Sequence, residues 1–463
     1  MIQVVAPVGA LLASVALLLM GNGLQGTLLP IRAEIEAFGP VAIGVMGSAY
    51  FLGFALGCLY GPVVVGRVGH IRTFTAATAL ASTVALAHAM VTEPWAWWPF
   101  RALTGFAFAI LYMVIESWLN ERASNETRGT VMSIYTVINL TVIMAGQMLL
   151  TVYDPASFPP FALASILVSL AALPVALTTA LAPAPLRSTK IRLLRLYRIS
   201  PVGFMGAFAV GLGNGAFWSL APVFATGSGL TVNGVATFMS LVVLGGALGQ
   251  YPLGKLSDRT DRRRVILAAA VGVCATGALL PVVAGLFAPG LYVGAFLFGL
   301  TAMPVYSLSV AHMNDFVEPD GFVEASSGML MVFAIGAIAG PVIASWVTGV
   351  AGTDLLFPYI AVVYVGFAAF VVARMRVRAA PAPEDRPDFV ATAGTSPALG
   401  ALDPRSDVEP AAEPAAEPAT AGDEPAPGDE SATAAQNGGE PGDPAAGGAP
   451  GRGMVSRPPP EQS

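Results

Sequence analysis

Residues 231–264 read TVNGVATFMSLVVLGGALGQYPLGKLSDRTDRRR. The first 23, residues 231–253, carry no charged side chain, and the eleven that follow carry seven. A bilayer core about 30 Å thick is crossed by roughly 20 mostly apolar residues in a helix, which satisfies its own backbone hydrogen bonds away from water. The stretch is therefore a membrane span followed directly by a basic loop. The rest of the chain repeats that alternation. Twelve segments qualify as spans, at about 4–29, 40–65, 73–91, 96–117, 129–152, 158–182, 201–226, 231–253, 264–287, 289–311, 326–350 and 355–375. The first lacks a basic leading region and is too long for a secretory signal, so it is read as a retained helix.

Composition agrees. The 463 residues are 55% hydrophobic and 11% charged, less than half the charge that covers the surface of a soluble chain. The fold class expected is all-α polytopic membrane protein. Orientation follows from the loops, because basic residues are retained on the cytoplasmic side. With the N-terminus inside, 17 loop Lys and Arg fall inside and only Arg32 outside. That split supports an even number of spans with both termini cytoplasmic. Arginine outnumbers lysine 21 to 2, and with abundant Ala, Pro and Gly this points to a GC-rich bacterial genome and so to a bacterial plasma (inner) membrane.

A basic connection, residues 186–200, separates spans six and seven and divides the membrane part into 1–185 and 201–378. From residue 379 to 463 the chain turns to Pro, Ala, Gly, Glu and Asp and carries net −11, whereas residues 1–378 carry +5. Such a segment buries too little apolar surface to offset its ordering entropy, and a disordered cytoplasmic tail is expected. Cys58 and Cys274 lie in apolar runs of different halves, and His70, His88 and His312 are scattered, so no disulfide framework or metal site follows. No nucleotide loop or nucleophile motif occurs, so the chain is not read as an enzyme or an ATP-driven pump. No cofactor and no nucleic-acid partner is expected; the lipid bilayer is a partner by construction.

Gly254 to Arg264 resembles the loop pattern Gly-x-Leu-Ala-Asp-Arg-x-Gly-Arg-Arg of major facilitator transporters, with Gly254, Asp258, Arg259 and Arg262 in place and Asp261 where the second glycine stands. At the matching place in the first half, Gly61 to Arg72 is a degenerate copy without the aspartate, beginning 193 residues earlier, as an internal duplication predicts. Arg101 and Gly105 match an Arg-x-x-x-Gly signature in span four, and Arg128-Gly129 opens span five in the family manner. Gly336-x-x-x-Gly340-Pro341 resembles an antiporter motif of span five, displaced here to span eleven. The string from Glu116 to Glu121 and the acidic loop before span eleven are most similar to the uncharacterised YcaD-type branch. The resemblance implies two pseudo-symmetric six-helix bundles around a central cavity. It also implies secondary active or facilitative transport of a small solute by alternating access, as a drug-like exporter or a metabolite permease.

Ionisable groups within hydrocarbon are costly and are functional candidates by default. Arg101 lies roughly 9 Å below the outer end of span four, with Asn22 and Gln25 of span one at similar depth. Arg101 could hold a substrate carboxylate or phosphate, or it could brace neighbouring helices. Tyr50, Asn139 and Asn214 lie near mid-depth, with Trp218 a turn beyond Asn214, and the family's cavity-lining helices make all of them cavity candidates. No Asp or Glu occupies the middle of a span, which leaves facilitation, or a coupling proton or ion served by a peripheral carboxylate such as Glu116. Glu116 stands about 22 Å along the helix from Arg101 and is read as part of the inner gate.

In the family the loop aspartate of each half meets the start of a helix in the other half, where unpaired amides carry partial positive charge. Two cross-half gate pairs of opposite polarity are expected here when the two halves close on the cytoplasmic side: Asp258 with Arg128, and Arg67 or Arg72 with Glu324. The rival to a transporter is a membrane scaffold or sensor that keeps the fold and acts through its acidic tail.

Overall fold

The apolar runs fold as helices, and proline, capping side chains and glycine mark several of their ends by relieving orphan amides or by stopping the helical backbone. Pro40 opens the second span, and the Ser200 hydroxyl accepts from the Gly203 amide (3.2 Å) at the start of the seventh. Thr231 accepts from the Gly234 amide (3.3 Å) at the start of the eighth. Gly69, at φ +90°, closes the second span, and Gly352, at φ +102°, closes the eleventh. Both need the left-handed backbone that glycine adopts without steric cost.

The computed structural model describes residues 9–122, 128–177, 192–287, 289–318, 321–377 and 389. The expectations for residues 379–463, Phe389 excepted, and for the basic linker before residue 192 lie outside the described residues. Among the described residues twelve helices are long and apolar enough to cross a membrane and no strand occurs. In order, spans one to six begin with Gly9–Ile35, Pro40–Val68, His70–Met90, Pro94–Arg122, Arg128–Met148 and Pro159–Leu170. Leu149–Thr151 extends the fifth as a tighter turn and Ala172–Ala176 the sixth. A short helix, Leu193–Ile199, precedes the second set. Spans seven to nine are Pro201–Gly227, Val232–Arg259 and Arg262–Leu286. Span ten is Gly290–Ala302 continued by Pro304–Asn314, and spans eleven and twelve are Phe322–Ala351 and Leu356–Val377. The interruption at Met303 has a simple cause: Pro304 has no amide hydrogen, and its ring collides with the carbonyl one turn back.

Small residues set the packing, as expected where lipid offers no hydrophobic force between helices. Spans seven and eleven approach so closely that a Cβ at Gly211 would overlap the Phe333 carbonyl, and one at Gly340 the Leu212 carbonyl. The glycine-proline string of span eleven therefore serves helix approach. Between the halves, Ser48 donates to the Ile338 carbonyl (2.6 Å) and Ser240 donates to Gln147 (3.2 Å). Phe51 meets Phe333 edge to face, with ring centres 6.2 Å apart. Gly44 packs on Ser345, and a Cβ at Gly349 would stand 3.6 Å from the Cβ of Pro40. These cross-half contacts run from mid-depth to the face opposite the basic loops.

Candidate functional site

A cavity of about 220 Å³ lies between the two halves. Helical phase decides what reaches it. Asn22, Gly26 and Pro30 recur every four residues along span one, Asn139, Ile143 and Gln147 along span five, and Gly246 and Gln250 along span eight, so each helix turns one stripe inward. Of the residues singled out in the sequence, Asn22, Tyr50, Arg101, Asn139, Asn214 and Trp218 all line this space. Gln25 does not: at about 100° per residue it stands roughly 60° round the helix from Asn22, and its amide is buried among neighbouring helices.

The local build around Arg101 comes from its signature. Gly105, one turn on, lets span four lie against span two so tightly that a Cβ there would overlap the Tyr50 carbonyl. That approach brings the Arg101 guanidinium over the Tyr50 ring, 4.5 Å from its centre. Nε of Arg101 is buried without a hydrogen-bond partner. Tyr50 in turn packs edge-on to Phe51 and stacks with Phe54. Asn22 donates to the Tyr112 hydroxyl (3.2 Å), which fixes its amide at the cavity wall. The arrangement offers one fixed cation, several amides and aromatic surfaces. Among the described residues no group of three or more His, Cys, Asp or Glu could hold a metal ion.

Gln147, Gln250, Ser219 and Tyr306 also line the cavity, and the sequence reading does not single them out. A signal exists for Gln147, because it lies eight residues, two turns and a little more, beyond Asn139 on the same stripe. Gln250 lies one turn beyond Gly246, itself a cavity residue.

On the basic face of this structure the described charges pair within the second half or with the short helix before it. Glu324 accepts from Arg192 (3.0 Å to each of two oxygens) and from Arg195 (3.0 Å), both on or beside the short helix before span seven. The expected partners Arg67 and Arg72 are exposed and pair with neither Glu324 nor another acid among the described residues. The reason is proximity: Arg192 and Arg195 lie over the start of span eleven. The hydrogen bond to Glu324 also pushes the Arg192 guanidinium above its ordinary range. The Arg128 side chain, the expected partner of Asp258, lies outside the described residues. Arg262, almost fully buried, bridges Asp258 (3.1 Å) and the equally buried Asp315 (3.1 Å), tying the ends of spans eight and ten to the start of span nine. Asp261 caps span nine by accepting from the Arg263 amide (3.0 Å) and pairs with its guanidinium (2.7 Å). Burial opposes the Asp261 charge, but those bonds outweigh it and hold the carboxyl below the usual range. Arg259 is exposed, and Gly254 is buried in span eight. Glu116 is fully buried and accepts from the Tyr135 hydroxyl (3.3 Å) of span five, within the first half.

Comparison with known proteins agrees with this architecture. The chain is 25% identical over 378 residues to an uncharacterized MFS-type transporter, Ent638_1421, of Enterobacter sp. strain 638, spanning 81% of this chain and 96% of that one. It is 24% identical over 357 residues to the uncharacterized MFS-type transporter YcaD of Escherichia fergusonii, spanning 77% of this chain and 92% of that one. Among solved structures, the nucleoside transporter NupG superposes with a TM-score of 0.66 at 14% identity, over 80% of this chain and 98% of that one. The profile of the Major Facilitator Superfamily matches twice, over residues 11–202 and 203–411. Two matches in tandem, twelve spans and a cavity shared by both halves place this chain in the Major Facilitator Superfamily, as a multi-pass membrane protein that transports a small solute.

Proposed function

We propose that the central cavity is the solute site and that the two halves rock about it to expose it to each face in turn. The observation that carries this reading is the cavity itself. Both halves supply its wall at mid-depth, and the described cross-half hydrogen bonds and glycine contacts lie at that depth or toward the face opposite the basic loops. This distribution supports a state open on the basic face. The 17 to 1 distribution of loop cations supports reading that face as cytoplasmic, with both ends of the chain inside and a bacterial plasma membrane as the location. In this organisation 1–185 and 201–378 are the moving bundles, 186–200 the linker and 379–463 a cytoplasmic tail. No carboxylate is among the described cavity residues. A coupling proton or ion would therefore be served elsewhere, with Glu116 as the buried acid near the inner end of span four. A transport role is favoured over enzymatic activity, and over a scaffold acting through its tail, by this solute-sized shared cavity.

The test is a removable lock. A disulfide needs Cβ atoms about 3.5–4.5 Å apart, which the Pro40 and Gly349 positions provide. In a background with Cys58 and Cys274 replaced by serine, Pro40→Cys with Gly349→Cys should support solute flux in liposomes when reduced. Oxidation should stop flux, and reduction should restore it. Equal flux in the oxidised and reduced protein would contradict the rocking mechanism.

A further inference from the structure

Arg101 indicates what kind of solute the cavity takes. Among the described residues that line the cavity, it is the only one with a fixed charge. Its guanidinium rests on the Tyr50 ring at 4.5 Å, and its Nε is buried without an acceptor. A ring face attracts a cation but does not neutralise it, and a cation removed from water is stabilised fully only by an opposite charge and good hydrogen bonds. Its own helix offers no such charge nearby, since Glu116 lies about 22 Å away along the axis. Resting on the reading of the cavity as the solute site, we infer that the solute is a small organic anion, whose carboxylate or phosphate docks on Arg101. Arginine's planar fork suits either group bidentately. The body of the solute meets aromatic surface from both halves, Tyr50 and Trp218, and the cavity amides read its hydrogen-bonding groups. Arg101 is then a binding residue rather than a brace.

The experiment is a thermal-stability screen of the purified protein with matched sets of solutes: benzoate, benzamide and benzylamine; phenyl phosphate and phenol; and the same sets built on aliphatic and heteroaromatic bodies. A ligand of the native state raises the apparent melting temperature by mass action. The expected result is at least one set in which the anion alone gives a shift, with affinity lowered ~30-fold or more in Arg101→Met and less in Arg101→Lys. The inference is overturned if no anion in the panel gives a shift, if neutral or cationic members bind as well, or if Arg101→Met binds the anion normally. The matched sets on the unsubstituted protein decide the question even if Arg101→Met fails to fold. Uptake of the same anion into liposomes separates the two claims: binding without flux keeps the anion site and removes the transport reading.

An independent observation concerns the segment after span twelve. Phe389 is the only described residue beyond Val377, and it is docked. Its amide donates to Asp258 (2.9 Å), and its ring fills the space beside Gly254 so closely that a Cβ there would overlap it. Gly254 lies one turn beyond the cavity residue Gln250, so Phe389 sits on the strip of span eight that leads from the cavity to the basic face. Closing the cavity on that face must bring the end of span eight against the first half. We propose that Phe389 is a wedge built into the tail, occupying this strip and favouring the state open on the basic face.

Spin labels at Glu121, on span four, and Glu318, after span ten, report the width of that mouth; both are exposed. They are placed in the full chain with Cys58 and Cys274 replaced by serine. Phe389→Ala, and truncation after Asp388, should lower the ratio of open to closed mouth at least ~5-fold, while Phe389→Tyr should not. Gly44→Leu, whose side chain would overlap Ser345 on the opposite face, should close the mouth whatever the tail does. If Gly44→Leu narrows the mouth and Phe389→Ala does not, the wedge is wrong and the rocking mechanism stands. If neither narrows it, both fall.

Discussion

Gly105 shows how one missing side chain positions a charge. Its closeness to the Tyr50 carbonyl sets the distance between spans two and four, and that distance sets Arg101 over the Tyr50 ring. Gly105→Val should therefore overpack the contact, lowering stability by roughly 1–3 kcal/mol in a thermal melt. Gly366 of span twelve has open space at its Cβ position, and Gly366→Ala should cost nothing. A melt in which both variants behave alike would show that spans two and four do not approach as closely at Gly105 as this contact requires. At this scale the sequence is readable in depth but only partly in rotation. Counting residues from a span's end places Asn22, Tyr50, Arg101, Asn139, Asn214 and Trp218 at the level of the cavity, and they line it. Gln25 has the right depth and the wrong phase. Gln147 and Gln250 have both, but they stand near glycines and apolar residues whose stripe becomes visible only once a neighbouring helix fixes which side is inward.

Between elements, buried and exposed ion pairs should separate by magnitude. Arg262 and Asp315 are each 1% exposed, whereas the Arg192 side chain that meets Glu324 is 61% exposed. Arg262→Met leaves a buried carboxylate without its cation and should cost about 3–5 kcal/mol of stability. Arg192→Met should be nearly silent in the same melt, because solvent screens the pair and Arg195 remains. Asp261 allows a pH test. Its folded-state carboxyl lies below the ordinary 3.8, so its stabilising effect is fully present above that value and is lost as pH falls through the folded value. Asp261→Ala should cost about 0.5–2 kcal/mol at neutral pH through loss of the cap. The difference from the unsubstituted protein should stay constant down to about pH 5 and shrink in stronger acid. The loop motif is legible because its spacing is local, but its partners are not. Asp258, Arg262 and Asp315 come from three helix ends that only packing brings together. Symmetry between the halves assigns Glu324 to Arg67 or Arg72 when the mouth is closed, but it does not reveal the linker cations Arg192 and Arg195 that hold Glu324 in this structure.

For the whole molecule, the twelve spans and the division into two halves follow from runs of apolar residues, basic loops and one repeated motif. The state of the cavity does not, since it depends on cross-half contacts such as Ser48 with Ile338 and Gly44 with Ser345, which join residues about 300 apart in sequence. The central claim is that one cavity is reached from both faces, one at a time. A cysteine at Asn214, in protein lacking Cys58 and Cys274 and reconstituted in sealed vesicles of known orientation, tests it most directly by labelling with an impermeant reagent. The account predicts labelling from both faces in the reduced Pro40→Cys/Gly349→Cys protein, and labelling from the basic face alone once that pair is oxidised. Labelling from a single face in the reduced protein, or from both faces with the lock closed, would contradict it.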